Sequence, residues 1–78
     1  MLIGKRFRLN AGALVVRESE AGRKFTVTVP AGEVLKVVSG PDTNGMLDVL
    51  WNGGIAEIFL VDLESRGDEI AEASGAHN

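Results

Sequence analysis

An Asn-Gly dipeptide between two apolar runs constrains the fold of this chain more than any other feature. Met46–Trp51 precedes the dipeptide, and Ile55–Val61 follows it after one further glycine. Asn and Gly both tolerate the positive φ that the favoured two-residue hairpin turn requires. We therefore predict a β-hairpin over residues 46–61, with Asn52 and Gly53 in its turn and both strands deep in a small sheet.

Further strands are predicted where polar and apolar residues alternate between turn signals spaced by roughly ten residues. The predicted segments are strands over 5–9, 13–19, 24–29 and 33–39, an exposed loop over 40–45, a short helical turn over 62–67, and a final strand or helical stub over 68–73. Phe7 and Phe25 are expected to face the core. Five or six short antiparallel strands favour one small all-β barrel over residues 1–73, with a disordered tail over 74–78.

The composition leaves this small domain without covalent or metal cross-links. The chain has no Cys and one His, His77, so neither a disulfide nor a His/Cys zinc site is available. A domain of this size buries only about 60% of the surface of its unfolded chain, and small folds without cross-links often gain stability by oligomerising. No signal peptide or long apolar run is evident, so we expect a cytoplasmic protein without a membrane segment.

The charges are distributed unevenly along the chain. Residues 1–36 carry seven basic and three acidic side chains, whereas residues 37–78 carry one basic and eight acidic side chains. This asymmetry predicts that the first and last strands are neighbours whose charges pair. The alternative is a nucleic-acid-binding stripe on the first strands, made of Lys5, Arg6, Arg8, Arg17, Arg23 and Lys24. The net charge of −3 and the scarcity of exposed aromatic residues disfavour it.

Side-chain alternation in the three central predicted strands separates a core face from an outer face. The predicted core face consists of Leu35, Val37, Leu47, Val49, Trp51, Ala56, Ile58 and Leu60. The predicted outer face consists of Val34, Lys36, Val38, Met46, Asp48, Leu50, Ile55, Glu57 and Phe59. Its three charged residues are expected to form a row across the sheet. Six large apolar side chains exceed what solubility requires, so either another copy, a protein partner or the chain's own loops and termini should cover this face.

No set of residues predicts catalysis or metal binding. His77 lies at the end of the chain, away from any serine that it could activate, and the adjacent carboxylates sit at turns and strand ends. The Asp42–Gly45 segment is typical of a turn, since the later ligands of a calcium loop are missing. Trp51 is expected to be structural rather than a peptide-binding residue. We therefore expect no catalytic residue, no metal and no cofactor.

The order of strands and turns resembles an SH3-like barrel, a fold that hosts many functions. The segments that carry the resemblance are Val29–Val34, Val49–Gly53 and Phe59–Leu63. A narrower resemblance is to the plasmid-borne type II dihydrofolate reductases, which are tetramers around a pore. Gly32–Leu35 is similar to their Gly-Gln-Ile-Val, and Ala56–Phe59 is similar to their pore-lining Val-Gln-Ile-Tyr.

The narrower resemblance implies a small-ligand site for folate and NADPH. Its residues would be Lys24, Glu57, Ile58 and Phe59. Glu57 stands in place of a glutamine, so an amide that donates and accepts hydrogen bonds is replaced by a carboxylate that only accepts them. Phe59 stands in place of a tyrosine and lacks its hydroxyl group. These departures disfavour the reductase activity.

We therefore predict a non-catalytic SH3-like module that self-associates or binds a protein partner through the outer face. A small-ligand-binding or reductase-like homo-oligomer and a nucleic-acid-binding barrel stay open as alternatives.

Overall fold

The central hairpin forms around the Asn-Gly turn. In the computed structural model, which describes residues 1–71, Asn52 has a φ of 51° and Gly53 a φ of 76°. Trp51 pairs directly with Gly54, so the turn contains two residues as predicted. Positive φ at both positions matches the twist of the flanking strands.

Seven strands and one short helix make up the described chain. The elements are β1 (Arg6–Leu9), β2 (Ala13–Glu18), β3 (Lys24–Val29), β4 (Val34–Ser39), β5 (Met46–Trp51), β6 (Gly54–Phe59), α1 (Leu60–Arg66) and β7 (Gly67–Ile70). The strands form a single antiparallel sheet in the order β3-β2-β6-β5-β4-β1-β7. Within residues 1–71, no helix is long and apolar enough to cross a membrane.

The all-β prediction is confirmed, with seven strands instead of five or six. Both terminal segments contribute, because β7 pairs with β1 and β1 also pairs with β4. The sheet order ends at β3 and β7, and no backbone ladder joins these two strands within the described chain. Closure into a barrel therefore stays a prediction. The predicted tail, 74–78, lies outside the described residues, as do residues 72 and 73.

The predicted alternation is confirmed for the central strands. Every predicted core residue of these strands is buried except Trp51 and Leu60, which are partly buried and pack against the core. Among residues 1–71, the buried core residues are Phe7, Leu9, Ala13, Val15, Val29, Leu35, Val37, Leu47, Val49, Ala56, Ile58 and Leu63. Leu63 belongs to α1, so the helix covers part of the core that the strands alone leave open.

The second strand of the hairpin ends earlier than predicted. Residues 60 and 61 were expected to continue the strand, but the helix begins at Leu60. The backbone N–H of Leu60 donates to the carbonyl of Gly45 at 2.8 Å, which holds the chain at the point where it changes direction. The helical turn then brings Leu63 into the core and leaves Val61 68% exposed.

The prediction that Phe25 faces the core is wrong, because its side chain is 46% exposed. Burial decreases along β3, from Val29, which is fully buried, through Val27, which is partly buried, to Phe25 near the hairpin tip. In the part of the chain that the structure describes, β3 has a strand on one side only, and its first residues are exposed. Alternation alone therefore overestimated how far the core extends.

The predicted pairing of the first and last strands is confirmed. The Nζ of Lys5 lies 3.5 Å from a carboxylate oxygen of Glu69, and the Nδ2 of Asn10 donates to Asp68 at 3.1 Å. The basic stripe is not continuous, because three strands separate β1 from β2 in the sheet. An exposed ion pair and a side-chain hydrogen bond thus accompany the backbone pairing of β1 with β7.

Two leucines of β5 test the assignment of the two faces. Leu47 is fully buried and Leu50 is 43% exposed. We expect Leu47→Ala to lower the free energy of unfolding by about 2–5 kcal/mol, because it leaves a cavity in the core. Leu50→Ala should lower it by less than about 1 kcal/mol, because a half-exposed side chain loses less burial. Urea unfolding of the dilute protein measures both values, and equal losses would contradict the assignment.

Candidate interaction surface

The outer face consists of the nine residues named for it above, and its apolar side chains are accessible. The exposed fractions are 36% for Val38, 43% for Leu50, 48% for Phe59 and 51% for Ile55. Val34 and Met46 are partly buried. Within residues 1–71, no loop or terminal segment shields the exposed side chains from solvent.

Three cross-strand pairs of β5 and β6 form the centre of this face. Leu50 lies opposite Ile55, Asp48 opposite Glu57, and Met46 opposite Phe59. Alternate residues of a strand are about 7 Å apart, so each pair is separated from the next by that distance. The outer face therefore has an apolar pair at each end and an acidic pair in the middle.

The predicted row of Lys36, Asp48 and Glu57 is not formed. Lys36 lies opposite Leu50, and a bulge in β4 after Val37 places Ser39 opposite Asp48. The loop helps to set this register, since the N–H of Asp42 donates to the carbonyl of Met46 at 2.9 Å. Glu57 and Asp48 do lie side by side, as predicted.

Each acidic side chain in the middle of the outer face has a partner on another strand. The hydroxyl of Ser39 donates to the Oδ2 of Asp48 at 2.7 Å. The Nζ of Lys24 lies 3.4 Å from the Oε1 of Glu57. Two carboxylates directly opposite each other repel, and these partners offset that repulsion. They also lower the desolvation penalty that the pair would bring to a covered surface.

Two depressions lie beside the acidic pair. The larger is a polar cavity of about 430 Å³. Its lining residues are Arg17, Glu18, Lys24, Asp48, Gly54, Ile55 and Glu57. Three carboxylates and two cationic groups give this cavity an acidic balance, which opposes the binding of an anion. The smaller is a mainly apolar groove of about 180 Å³, whose lining includes Leu14, Met46 and Phe59.

Leu14 belongs to this surface although the sequence did not single it out. Its side chain is 61% exposed and lines the same groove as Phe59. β2 begins with four consecutive apolar residues, Ala13–Val16, so alternation of polar and apolar types could not assign its faces. The pairing of Val16 with Glu57 identifies the face that the sequence left ambiguous.

Trp51 lies on the core side of the sheet, where the alternation predicted it. Its ring packs against the core, and its Nε1–H donates to a carboxylate oxygen of Glu33 at 2.9 Å. The guanidinium of Arg17 lies 5.2 Å from the ring centre. The tryptophan is therefore held between a hydrogen bond and a cation–π contact, away from the outer face.

The four residues of the ligand-binding alternative are only partly brought together. Lys24 and Glu57 form an ion pair, and Phe59 lies on the same face of the sheet as Glu57. Ile58 is fully buried and points into the core. A ligand on the outer face could therefore contact three of the four side chains.

The Asp42 segment forms the predicted turn. One oxygen of its carboxylate accepts hydrogen bonds from the backbone N–H groups of Asn44, at 2.8 Å, and Met46, at 2.9 Å. Across residues 1–71, no group of three His, Cys, Asp or Glu side chains has a geometry that could hold a metal ion.

Comparisons with known proteins leave the family open. No family model matches the chain, and no curated protein or solved structure matches it significantly. The SH3-like and reductase resemblances stay predictions.

Removal of the Ser39 hydroxyl tests how the acidic pair is stabilised. We expect Ser39→Ala to lower the free energy of unfolding by about 1–2 kcal/mol, because the partly buried Asp48 carboxylate loses a donor. Ser65→Ala is the matched control, since the Ser65 hydroxyl donates to an exposed helix carbonyl and not to a carboxylate among residues 1–71. Denaturant unfolding compares the two, and an equal effect would show that Asp48 does not depend on Ser39.

Proposed function

We propose that this protein is a non-catalytic assembly module that associates with a second copy of itself through the outer face. The observation that carries the proposal is the accessibility of large apolar side chains on one face of the central strands, among them Leu50, Ile55 and Phe59. Such patches on a small domain are typical of contact sites.

The internal pairing of the acidic residues supports the same proposal. A surface whose carboxylates already have partners can be covered by apolar groups at a lower desolvation penalty than one with unpaired charges. Asp48 has Ser39 and Glu57 has Lys24 within the same chain. Ser39 donates a hydrogen bond to Asp48, and Lys24 offsets the charge of Glu57, so the apolar pairs on either side can supply the binding energy.

A second copy is the simplest occupant of this face. Two identical faces meet around a two-fold axis, which is the commonest symmetry of soluble oligomers. A chain of 78 residues without cross-links also gains stability from association. Face-to-face packing of two sheets would then bury Leu50, Ile55 and Phe59 of both copies.

Phe59→Asp tests this proposal against a matched control. We expect the substitution to lower the mass of the assembly while leaving a folded chain, because it places a charge among the apolar residues of the contact and Phe59 is half-exposed within one copy. Val61→Asp introduces the same charge at an exposed position of α1 outside the outer face, and it should leave the mass unchanged. Size-exclusion chromatography with light scattering at tens of micromolar and circular dichroism give both readouts.

Three results would contradict the proposal. The first is a wild-type protein that is strictly monomeric at these concentrations. The second is an equal effect of the two substitutions on the mass. The third is unfolding by Phe59→Asp alone, which would place Phe59 in the core of its own chain.

A reductase-like ligand binder is the second candidate function. It is supported by the proximity of Lys24 and Glu57 at the polar cavity and by the position of Phe59 on the same face. The acidic balance of the cavity opposes binding of an anionic dinucleotide. A nucleic-acid-binding barrel has less support, because the basic side chains are divided between separate strands.

Calorimetric titration with NADPH separates the assembly module from the ligand binder. We expect no binding heat at high micromolar cofactor, because three carboxylates surround the cavity. Binding heat from the wild-type protein in this concentration range, together with its loss in the Lys24→Met variant, would favour the ligand binder. Arg23→Met is the control, since it removes a neighbouring cation that does not line the cavity.

A further inference from the structure

The strand β3 leaves one side of its backbone without a partner in the described chain. It pairs with β2 and with no other strand among residues 1–71. The N–H of Ser19 donates to the carbonyl of Arg23 at 2.8 Å, which marks a hydrogen-bonded position at the hairpin end. Because bonded and non-bonded pairs alternate in an antiparallel ladder, Phe25 and Val27 bond to β2.

The intervening residues of β3 therefore direct their backbone groups outward. These residues are Lys24, Thr26 and Thr28, and all three are exposed. Each offers one N–H donor and one C=O acceptor along the free edge.

This edge lacks the features that normally prevent strands from pairing. The sequence Lys-Phe-Thr-Val-Thr-Val contains no Gly or Pro and is rich in β-branched residues. Its single charge, Lys24, is already paired with Glu57. At the other end of the sheet, β7 has four residues and carries Asp68 and Glu69, so two copies of that strand would bring like charges together.

The exposed Phe25 is a second observation at the same edge. Its side chain lies on the same side of β3 as Val27, which is only partly buried. Phe25 keeps about half of its surface open to solvent, and Val27 is not fully covered by the core. A neighbouring strand would cover both side chains while it satisfied the backbone.

We propose that β3 pairs with β3 of a second copy, antiparallel, around a two-fold axis at Thr26. This axis is the one that uses all three outward-facing residues. Thr26 then pairs with its own counterpart, and Lys24 pairs with Thr28 in both directions. The two edges would exchange about six backbone hydrogen bonds.

The side chains of two β3 strands complement each other in this register. Phe25 of each copy lies opposite Val27 of the other copy. Cross-strand pairs of an aromatic and a β-branched residue are favourable. Lys24 lies opposite Thr28, so no like charges face each other. This self-complementarity identifies a second copy of the chain, rather than an unrelated extended peptide, as the partner. The contact uses a different surface from the outer face and goes beyond the proposed function.

Cysteine cross-linking tests both the contact and its register, because the chain contains no other Cys. In the proposed pair the two Thr26 Cα atoms are about 5.5 Å apart, which a disulfide can span. The two Thr28 Cα atoms are about 14 Å apart, which it cannot span. We expect Thr26→Cys to form a disulfide-linked dimer at least tenfold faster than Thr28→Cys under mild oxidation of the dilute protein. Equal rates would overturn the proposal.

Proline substitutions provide an independent test. Thr26→Pro removes an outward N–H without breaking a bond to β2, so the chain should fold but lose the β3 contact and form a lighter assembly. Glu69→Pro is the matched control at the other edge. The bond from Asn10 N–H to the Arg66 carbonyl places the Glu69 N–H outward, so the mass should not change. Light scattering and circular dichroism measure both, and an unchanged mass for a folded Thr26→Pro protein would overturn the proposal.

The two contacts can be separated in one experiment. Thr26→Cys should still cross-link selectively in a Phe59→Asp background, because that substitution lies outside β3. Selective cross-linking there supports the β3 contact even where the outer face proves unable to associate. Loss of the difference between Thr26→Cys and Thr28→Cys in that background overturns it, whatever the result for the outer face.

Discussion

The register of the central hairpin is the constraint on which the rest of this structure depends. Two residues with positive φ, Asn52 and Gly53, force Trp51 opposite Gly54, and every later pair of β5 and β6 follows from that one. Because side chains alternate strictly, a slip of one residue would exchange the core and outer faces. The same short turn thus determines which residues exclude water and which stay accessible for contact.

The sequence predicts this part of the fold well because the information is local. A turn dipeptide and a two-residue period are properties of neighbouring residues, and they were sufficient to separate Leu47 from Leu50. The ends of elements are determined differently. Val61 is β-branched, and Leu60 continues the apolar alternation of β6, yet the chain turns into a helix there, and the helix buries Leu63 in the core. Tertiary packing overrides local preference at such positions.

The candidate site shows the same division between local and tertiary information. All nine predicted outer-face residues belong to the three central strands, where alternation is clear. The hydrogen-bond and ion-pair partners of the acidic pair could not be predicted from the sequence. Ser39 depends on a bulge in β4, and Lys24 reaches Glu57 from a strand that is not adjacent to β6. Leu14 could not be assigned to a face for another reason, since a run of apolar residues shows no alternation between polar and apolar types.

Lys24 connects the two proposed contacts physically. Its ammonium group neutralises Glu57 at the centre of the outer face, while its backbone lies on the free edge of β3. Two distinct two-fold contacts on one chain generate a closed assembly only where their axes meet, and otherwise an open one. The ion pair links β3 to β6 across β2, in addition to the backbone ladders, and so it lies between the two contact surfaces. A small change at this pair could therefore alter the form of the assembly without removing either contact.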